Sequence, residues 1–277
     1  MFFGAVTQRS NFCTMGAISD VASFGDWTRA RMAITSIGVA IVGVAALKAT
    51  GTVDMSKSFY IAPKLVWLSH IVGGLAFGFG MTLASGCGSK TLIRVGSGSL
   101  RALVTIMVMG IFAWFTLRGI LGVFRVWALD SVAVTLSTTQ DLPTLVGLSG
   151  NAASIAAALF GVALLVFAFA GKEFRADHWN WIGGMVVGLT VIAAWYVSGR
   201  VGFVAEHPDT LEAAWVATNS GRPESLSFTA PPAYLIELLG YWSDKSRFLS
   251  FGVATALGVV AGSFLMSVFT ESFRWEG

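Results

Sequence analysis

Charged residues are scarce in this chain: Asp, Glu, Lys and Arg make up 12% of its 277 residues, whereas soluble domains carry about 25%. Hydrophobic residues reach 55%, and the mean hydropathy is +0.73. This balance excludes an ordinary soluble domain and predicts a helical protein with several membrane spans. The formal net charge of +3 is too small to favour nucleic-acid binding.

Cysteine and histidine are also scarce, with two and three copies in the chain. Two cysteines are too few for a disulfide framework. The histidines do not stand at metal-ligand spacing from the cysteines, so no metal or other cofactor is predicted. The first fifteen residues lack a basic stretch followed by a long apolar one, so no cleavable signal peptide is predicted.

Glycine is abundant, with 32 copies, and small residues let membrane helices pack closely. Hydropathy predicts six spans near the length of about 20 residues that a bilayer requires, at residues 30–49, 65–84, 103–124, 152–170, 181–198 and 248–269. Shorter apolar stretches predict re-entrant or interfacial segments at residues 2–22, 91–100, 125–136 and 230–240. The predicted fold is therefore an all-α membrane protein, with about six transmembrane helices plus short re-entrant helices in one domain, 1–277.

Cys87 stands between two glycines directly behind the second predicted span, in the motif SGCGSK. Gly86 and Gly88 would let backbone approach a ligand closely. The thiol offers a polarisable sulfur and a weak S–H donor. Lys90 and Arg94 follow within two turns, and their positive charges would suit an anion. This combination at the end of a membrane helix indicates a substrate pathway.

Cys13 lies in a second small and polar context, shortly after Gln8 and Arg9. The predicted pathway residues are Cys13, Cys87, Gln8, Arg9, Gly86, Gly88, Lys90 and Arg94. Each has an ordinary structural alternative. Cysteine is often a small buried hydrophobic residue, the basic residues could anchor helices at the membrane interface, and Gln8 could bond a neighbouring helix.

A weak internal repeat is visible at the start of two glycine-rich spans. Asp26-x-x-Arg29 precedes the first, and Asp244-x-x-Arg247 precedes the last, 218 residues later. Ordinary helix capping also favours Asp at a helix start. Five predicted spans separate the copies, so the second would enter the membrane from the opposite side. This arrangement predicts an inverted-repeat transporter, with a first half-repeat at 1–124 and an incomplete second one at 152–277.

Five ordered motifs resemble the YeeE/YedE family of inner-membrane sulfur-transport proteins, at residues 8–20, 25–27, 85–88, 227–231 and 273–277. The resemblance implies a multi-pass protein of the bacterial inner membrane that takes up thiosulfate or a related sulfur anion, and not an enzyme. It further implies an inverted repeat whose re-entrant helices meet at a cysteine-lined pathway. A small sulfur-carrier protein of the TusA type is the implied partner.

The family's two cysteines of the N-terminal half match Cys13 and Cys87, while a third, in the second half, has no counterpart here. The resemblance therefore predicts a chain truncated at its C-terminus and possibly at its N-terminus. We hypothesise that the two thiols form a relay, each donating S–H to the passing anion. Two alternatives stay open: a membrane sulfurtransferase that carries a persulfide on Cys87, and a transporter fragment that needs its missing C-terminal part.

Overall fold

The computed structural model describes residues 1–58, 60–206, 211–244 and 247–277. In these ranges the α-helices are α1 (Phe2–Ser10), α2 (Thr14–Phe24), α3 (Thr28–Ala49), α4 (Trp67–Leu83), α5 (Gly88–Gly96), α6 (Leu100–Arg118), α7 (Ile120–Arg125), α8 (Leu142–Leu145), α9 (Gly150–Phe169), α10 (Lys172–Ala176), α11 (His178–Tyr196), α12 (Ala230–Gly240) and α13 (Phe251–Phe269). The strands are β1 (Lys64–Leu65), β2 (Val134–Thr135), β3 (Phe203–Val204) and β4 (Ala214–Trp215), which form two antiparallel pairs, β1 with β2 and β3 with β4.

The six predicted membrane spans are confirmed. Within the described ranges, six helical segments are long and apolar enough to cross a bilayer, and they are Thr28–Ala49, Trp67–Gly96, Leu100–Arg118, Gly150–Phe169, His178–Val201 and Phe251–Phe269. The strands are only two residues long each. The chain is therefore an all-α membrane protein, as its hydropathy predicts.

The backbone breaks inside the third predicted span and directly after the second, which was predicted at 65–84 and is α4. The third predicted span ends at Arg118, since Gly119 is extended (φ −101°, ψ −162°) and α7 starts afresh behind it. The segment Trp67–Gly96 is divided between α4, which ends at Leu83, and the short helix α5. Ser85, with a φ of 55°, lies at that break. The break puts Cys87 at the start of a helix inside the membrane span.

The short apolar stretches fold in different ways. Residues 2–22 divide into α1 and α2, because Asn11 ends α1 in the left-handed conformation (φ 52°). The stretch at 230–240 is α12, with the predicted bounds. The stretch at 125–136 was expected to be a re-entrant or interfacial segment; it holds one π-helical turn, Val126–Asp130, and β2.

The buried core lies where α1, α5, α6, α11 and α13 meet, and its apolar members are Phe3, Leu92, Ile93, Ile106, Val187, Ala256 and Val259. α1 packs on α11 and α13, while α5 packs on α6 and α13. α12 lies against α6 and α13, and α3 lies between α9 and α11. Each of the short helices α1, α5 and α12 thus packs on two long ones. This packing positions the two cysteine-bearing turns, in which both cysteines are half-buried.

The two Asp-x-x-Arg sequences occupy different structural positions. The Asp26 carboxylate accepts a hydrogen bond from the Thr28 backbone N–H (2.8 Å) at the start of α3. Asp244 instead pairs with Arg247 (3.8 Å) in the segment before α13. Lys245 and Ser246, which belong to the second copy, lie outside the described residues. The inverted repeat and its two half-repeats therefore stay a prediction.

Gly96 controls how closely α5 approaches α13. A Cβ atom there would lie 2.5 Å from the Val260 carbonyl oxygen and 2.8 Å from the Ser263 Cβ. The Ser263 hydroxyl donates to the Ile93 carbonyl (2.7 Å) and holds the two helices together. We expect Gly96→Ala to destabilise the protein by about 1–3 kcal/mol, because a packed interface tolerates no added methyl group.

The matched control for Gly96→Ala is Gly74→Ala on α4. A Cβ at Gly74 meets nothing within 4 Å, so alanine there should be neutral or stabilising by up to about 1 kcal/mol. Thermal unfolding of the detergent-solubilised protein measures both. If Gly96→Ala unfolds at the parent temperature, the close packing of α5 on α13 is wrong.

Candidate functional site

The Cys13 turn joins α1 to α2. Asn11 turns the chain at the end of α1, and Cys13 becomes the N-cap of α2. The Cys13 Sγ accepts a hydrogen bond from the Gly16 backbone N–H at 3.3 Å, in the manner of a capping side chain. A thiol that accepts through a sulfur lone pair keeps its S–H hydrogen. Cys13 can therefore donate that hydrogen to a ligand.

The Cys87 turn joins α4 to α5, and Cys87 is the N-cap of α5. Its Sγ lies 3.1 Å from the Ser89 hydroxyl. The Thr14 hydroxyl, next to Cys13 in the chain, donates to the Cys87 Sγ at 3.9 Å. This contact brings the two cysteine turns together, and both cysteines are free thiols.

Lys90 connects the two turns a second time. Its Nζ donates to the Asn11 side-chain oxygen at 3.5 Å. The Lys90 ammonium also interacts electrostatically with both thiols and with Arg29 and Arg94. The lysine is half-buried, so its charge acts with less screening than a surface charge would. The cation that follows the Gly-Cys-Gly motif therefore contacts the Cys13 turn through Asn11 and interacts electrostatically with both thiols.

Arg29, at the start of α3, adds a further positive charge. A Cβ on Gly16 would lie 2.7 Å from the Arg29 Nη1, so the guanidinium lies directly over the Cys13 turn. The Arg29 Nε pairs with the Asp20 carboxylate of α2 at 3.3 Å. Nearby, hydrogen bonds from the Thr28 side chain and backbone lower the pKa of Asp26.

Gly88 lets a third segment reach the site. A Cβ on Gly88 would lie 2.8 Å from the Phe228 carbonyl oxygen, so only glycine permits this approach. The Phe228 ring also packs on Phe3 of α1, with ring centroids 5.0 Å apart. Because α12 begins two residues after Phe228, its N-terminus lies beside the Cys87 turn.

Three helices thus begin at or next to the cysteine turns, namely α2, α5 and α12. Helix N-termini carry a partial positive charge that attracts anions, and α2 and α5 also present backbone N–H groups there. Pro231 and Pro232 leave the first turn of α12 with fewer N–H groups. Lys90, Arg29 and Arg94 add full positive charges, and Asp20 is the one carboxylate paired with them in the described contacts. The arrangement can hold a small anion next to two S–H donors. No group of three or more His, Cys, Asp or Glu residues able to hold a metal occurs in the described ranges.

The predicted pathway residues divide into two groups. Cys13, Cys87, Gly86, Gly88, Lys90 and Arg94 lie at or near the two turns. The Arg9 guanidinium lies over the Trp179 ring of α11, 5.4 Å from its centroid, and the Arg9 side chain is exposed. Gln8 is half-buried on α1. Arg9 therefore resembles the interfacial anchor that was its structural alternative.

Four residues of the site are absent from the predicted set, and they are Asn11, Thr14, Ser89 and Arg29. The first three stand inside the two cysteine motifs, so their closeness to a cysteine in the sequence could have placed them in the site. In the sequence, Arg29 belongs to the Asp-x-x-Arg repeat, which indicates the start of a helix. Its place over the Cys13 turn depends on how α2 folds back onto α3, which a sequence pattern does not reveal.

Comparison with known proteins gives a consistent result. A sequence model of the family described as sulphur transport matches residues 9–277. The thiosulfate transporter TsuA of Escherichia coli (strain K12) is 26% identical over 292 residues, which cover 98% of this chain and 73% of that protein. TsuA of Spirochaeta thermophila is 28% identical over 188 residues, covering 65% and 55%. The probable transporter YedE of Salmonella typhimurium is 25% identical over 179 residues, covering 62% and 40%. This chain thus spans 73% of the first relative and about half of the second.

Proposed function

Because this chain belongs to the sulphur-transport family, we propose that it carries thiosulfate or a related sulfur-containing anion across the bacterial inner membrane. The anion would pass the two cysteine turns. The family match supports transport, and the name of the two TsuA relatives supports thiosulfate as the sulfur species. A TusA-type sulfur carrier as partner stays a prediction from the resemblance.

The charge of the anion is the main physical obstacle. Thiosulfate carries two negative charges, and a buried unpaired charge costs several kcal/mol. Three helix N-termini and the Lys90 ammonium offset this cost at the cysteine turns. Asp20 pairs with Arg29, so one of the three positive charges at the site is already compensated before the anion arrives. Partial neutralisation lets the ion enter and also leave, as conduction requires.

The thiols would act as successive hydrogen-bond donors. Cys13 keeps its S–H hydrogen free because its sulfur accepts from Gly16. Cys87 shares a hydrogen bond with the Ser89 hydroxyl. That hydroxyl can donate to the Cys87 sulfur when the S–H hydrogen turns toward the anion. Neutral S–H donors are weak, so neither site would trap the ion. The Thr14–Cys87 contact, which links the two turns, is the observation that carries this relay.

The second candidate is a membrane sulfurtransferase that carries a persulfide on Cys87. Its position at a helix N-terminus, near Lys90, would favour the thiolate form that such chemistry needs. The described contacts of Cys87 are hydroxyl groups, from Thr14 and Ser89, and include no carboxylate or imidazole that could act as a base. Intact-mass spectrometry separates the candidates, because a persulfide adds one sulfur atom to the chain.

Growth on thiosulfate as the sole sulfur source tests the proposed function. The host is a bacterium that lacks thiosulfate uptake, and E. coli TsuA is the positive control. We expect growth when this chain is expressed and detected in the membrane. Absence of growth under those conditions, while TsuA restores it, would show that the 277-residue chain does not carry thiosulfate by itself.

A further inference from the structure

A second group of charged residues lies around Glu237, away from the cysteine turns. The Glu237 carboxylate is 6% exposed, and its Oε1 accepts a hydrogen bond from the Arg118 Nη1 at 2.9 Å. The same oxygen forms an ion pair with the Arg247 Nη1 at 2.7 Å. Two guanidinium groups therefore share one carboxylate oxygen.

A cavity of about 190 Å³ opens beside this group, which we call the Glu237 cavity. Its polar lining residues are Arg118, Arg247, Glu237, Tyr234, Thr218 and Asn219. The volume accommodates a tetrahedral oxyanion of five heavy atoms. The arginines offer planar forks of N–H donors, the geometry that binds two oxygens of an oxyanion at once. Tyr234 and Asn219 can add neutral donors.

The charge balance in the described residues favours an anion. The two guanidinium groups have one buried carboxylate partner, Glu237, and the second carboxylate beside them is Asp244. Asp244 lies 3.8 Å from the Arg247 Nε, but its side chain is 46% exposed, so water screens its charge. The two arginine side chains are 42% and 34% exposed, and an ion from solution can therefore reach them.

We infer that the Glu237 cavity is a binding site for a small dianionic oxyanion, of the sulfate or thiosulfate class. Glu237 holds both arginines in place when the cavity is empty. An arriving anion binds one or both guanidinium groups in place of the Glu237 carboxylate. Glu237 is thus an internal competitor, which keeps the affinity moderate and the site reversible.

The position of the cavity suggests its use. Arg118 is the last residue of α6. α12 begins at Ala230, two residues after Phe228 beside the Cys87 turn, and Glu237 lies about 10 Å further along that helix. If the chain transports an anion past the thiols, which is the proposed function, the Glu237 cavity is a second anion site on that pathway, near one end of the α6 span.

Equilibrium dialysis with radiolabelled thiosulfate tests the site in purified, detergent-solubilised Cys13→Ala/Cys87→Ala protein, which lacks both thiol donors. We expect Arg247→Gln to weaken binding about tenfold or more, because it removes a charged donor. Glu237→Gln should strengthen binding several-fold, since the amide keeps the shape of the side chain and no longer competes as an anion. A purely structural role for Glu237 predicts the reverse.

The outcomes are decisive only for folded variants, so the thermal unfolding of each is measured beside its affinity. Phenylglyoxal modification of the unaltered protein gives a second readout: sulfate should protect Arg118 and Arg247, as peptide mapping would show. Unchanged affinity in folded Arg247→Gln, or no protection by sulfate, overturns the inference. If transport fails while binding and its Glu237 dependence persist, the proposed function is wrong and the oxyanion site stands.

Discussion

Replacing Cys87 with alanine is expected to lower thiosulfate uptake about tenfold to a hundredfold. The thiol is the N-cap of α5, and its sulfur contacts Ser89 and Thr14. Alanine removes the S–H donor that faces the anion, and a hydrogen bond to a charged group contributes about 1.5–3 kcal/mol. Each 1.36 kcal/mol is a factor of ten. Uptake of radiolabelled thiosulfate by cells that express equal amounts of each variant measures the effect.

Cys87→Ser distinguishes a hydrogen-bonding thiol from a persulfide carrier. Serine keeps an O–H donor at nearly the same place, so a relay predicts uptake between that of the parent and that of Cys87→Ala. A persulfide carrier predicts complete loss in both variants. Ser131→Ala is the control, since that hydroxyl bonds the Trp127 carbonyl in an exposed turn far along the chain. Parent-level uptake in Cys87→Ala would rule out the relay.

Lys90→Met should reduce uptake by about tenfold or more, the second large effect we expect. The ammonium contacts Asn11 in the Cys13 turn and interacts electrostatically with both thiols. Without it, the dianion would keep Arg29 and Arg94 but lose one of three full positive charges, and a buried charge that lacks its partner costs several kcal/mol. Methionine keeps the length of the side chain and removes only its charge. The measurement is the initial rate of thiosulfate uptake.

The control for Lys90→Met is Lys172→Met, at the exposed start of α10. It removes the same charge from the surface and should leave uptake unchanged. Lys90→Met should also fold at least as well as the parent, because a half-buried ammonium is costly to desolvate. A folded Lys90→Met protein with parent-level uptake would show that Lys90 is an ordinary anchor.

The sequence was sufficient for the membrane class, the six spans and the special character of the Cys87 motif. Hydropathy depends on composition over about 20 residues, and the spans are determined at that scale. The break after the second predicted span was indicated by Gly86 and Gly88. α12, at residues 230–240, could be located because Pro231 and Pro232 allow a helix to begin there.

The contacts that join the two cysteine turns could not be predicted. Thr14 and Cys87 are 73 residues apart, and Asn11 and Lys90 are 79 apart. No local propensity links such positions, because the packing of α1, α5 and α13 brings them together. For the same reason the Glu237 group was not anticipated, since Arg118, Glu237 and Arg247 come from three separate segments.

Uptake of radiolabelled thiosulfate into proteoliposomes that contain the purified 277-residue chain tests the central claim most directly. We expect accumulation above empty liposomes, competition by unlabelled thiosulfate, and loss of uptake in the Cys13→Ala/Cys87→Ala double variant. E. coli TsuA in the same liposomes is the positive control. A folded chain that accumulates no thiosulfate, or a thiol-free variant that matches the parent, would contradict transport past the two cysteines.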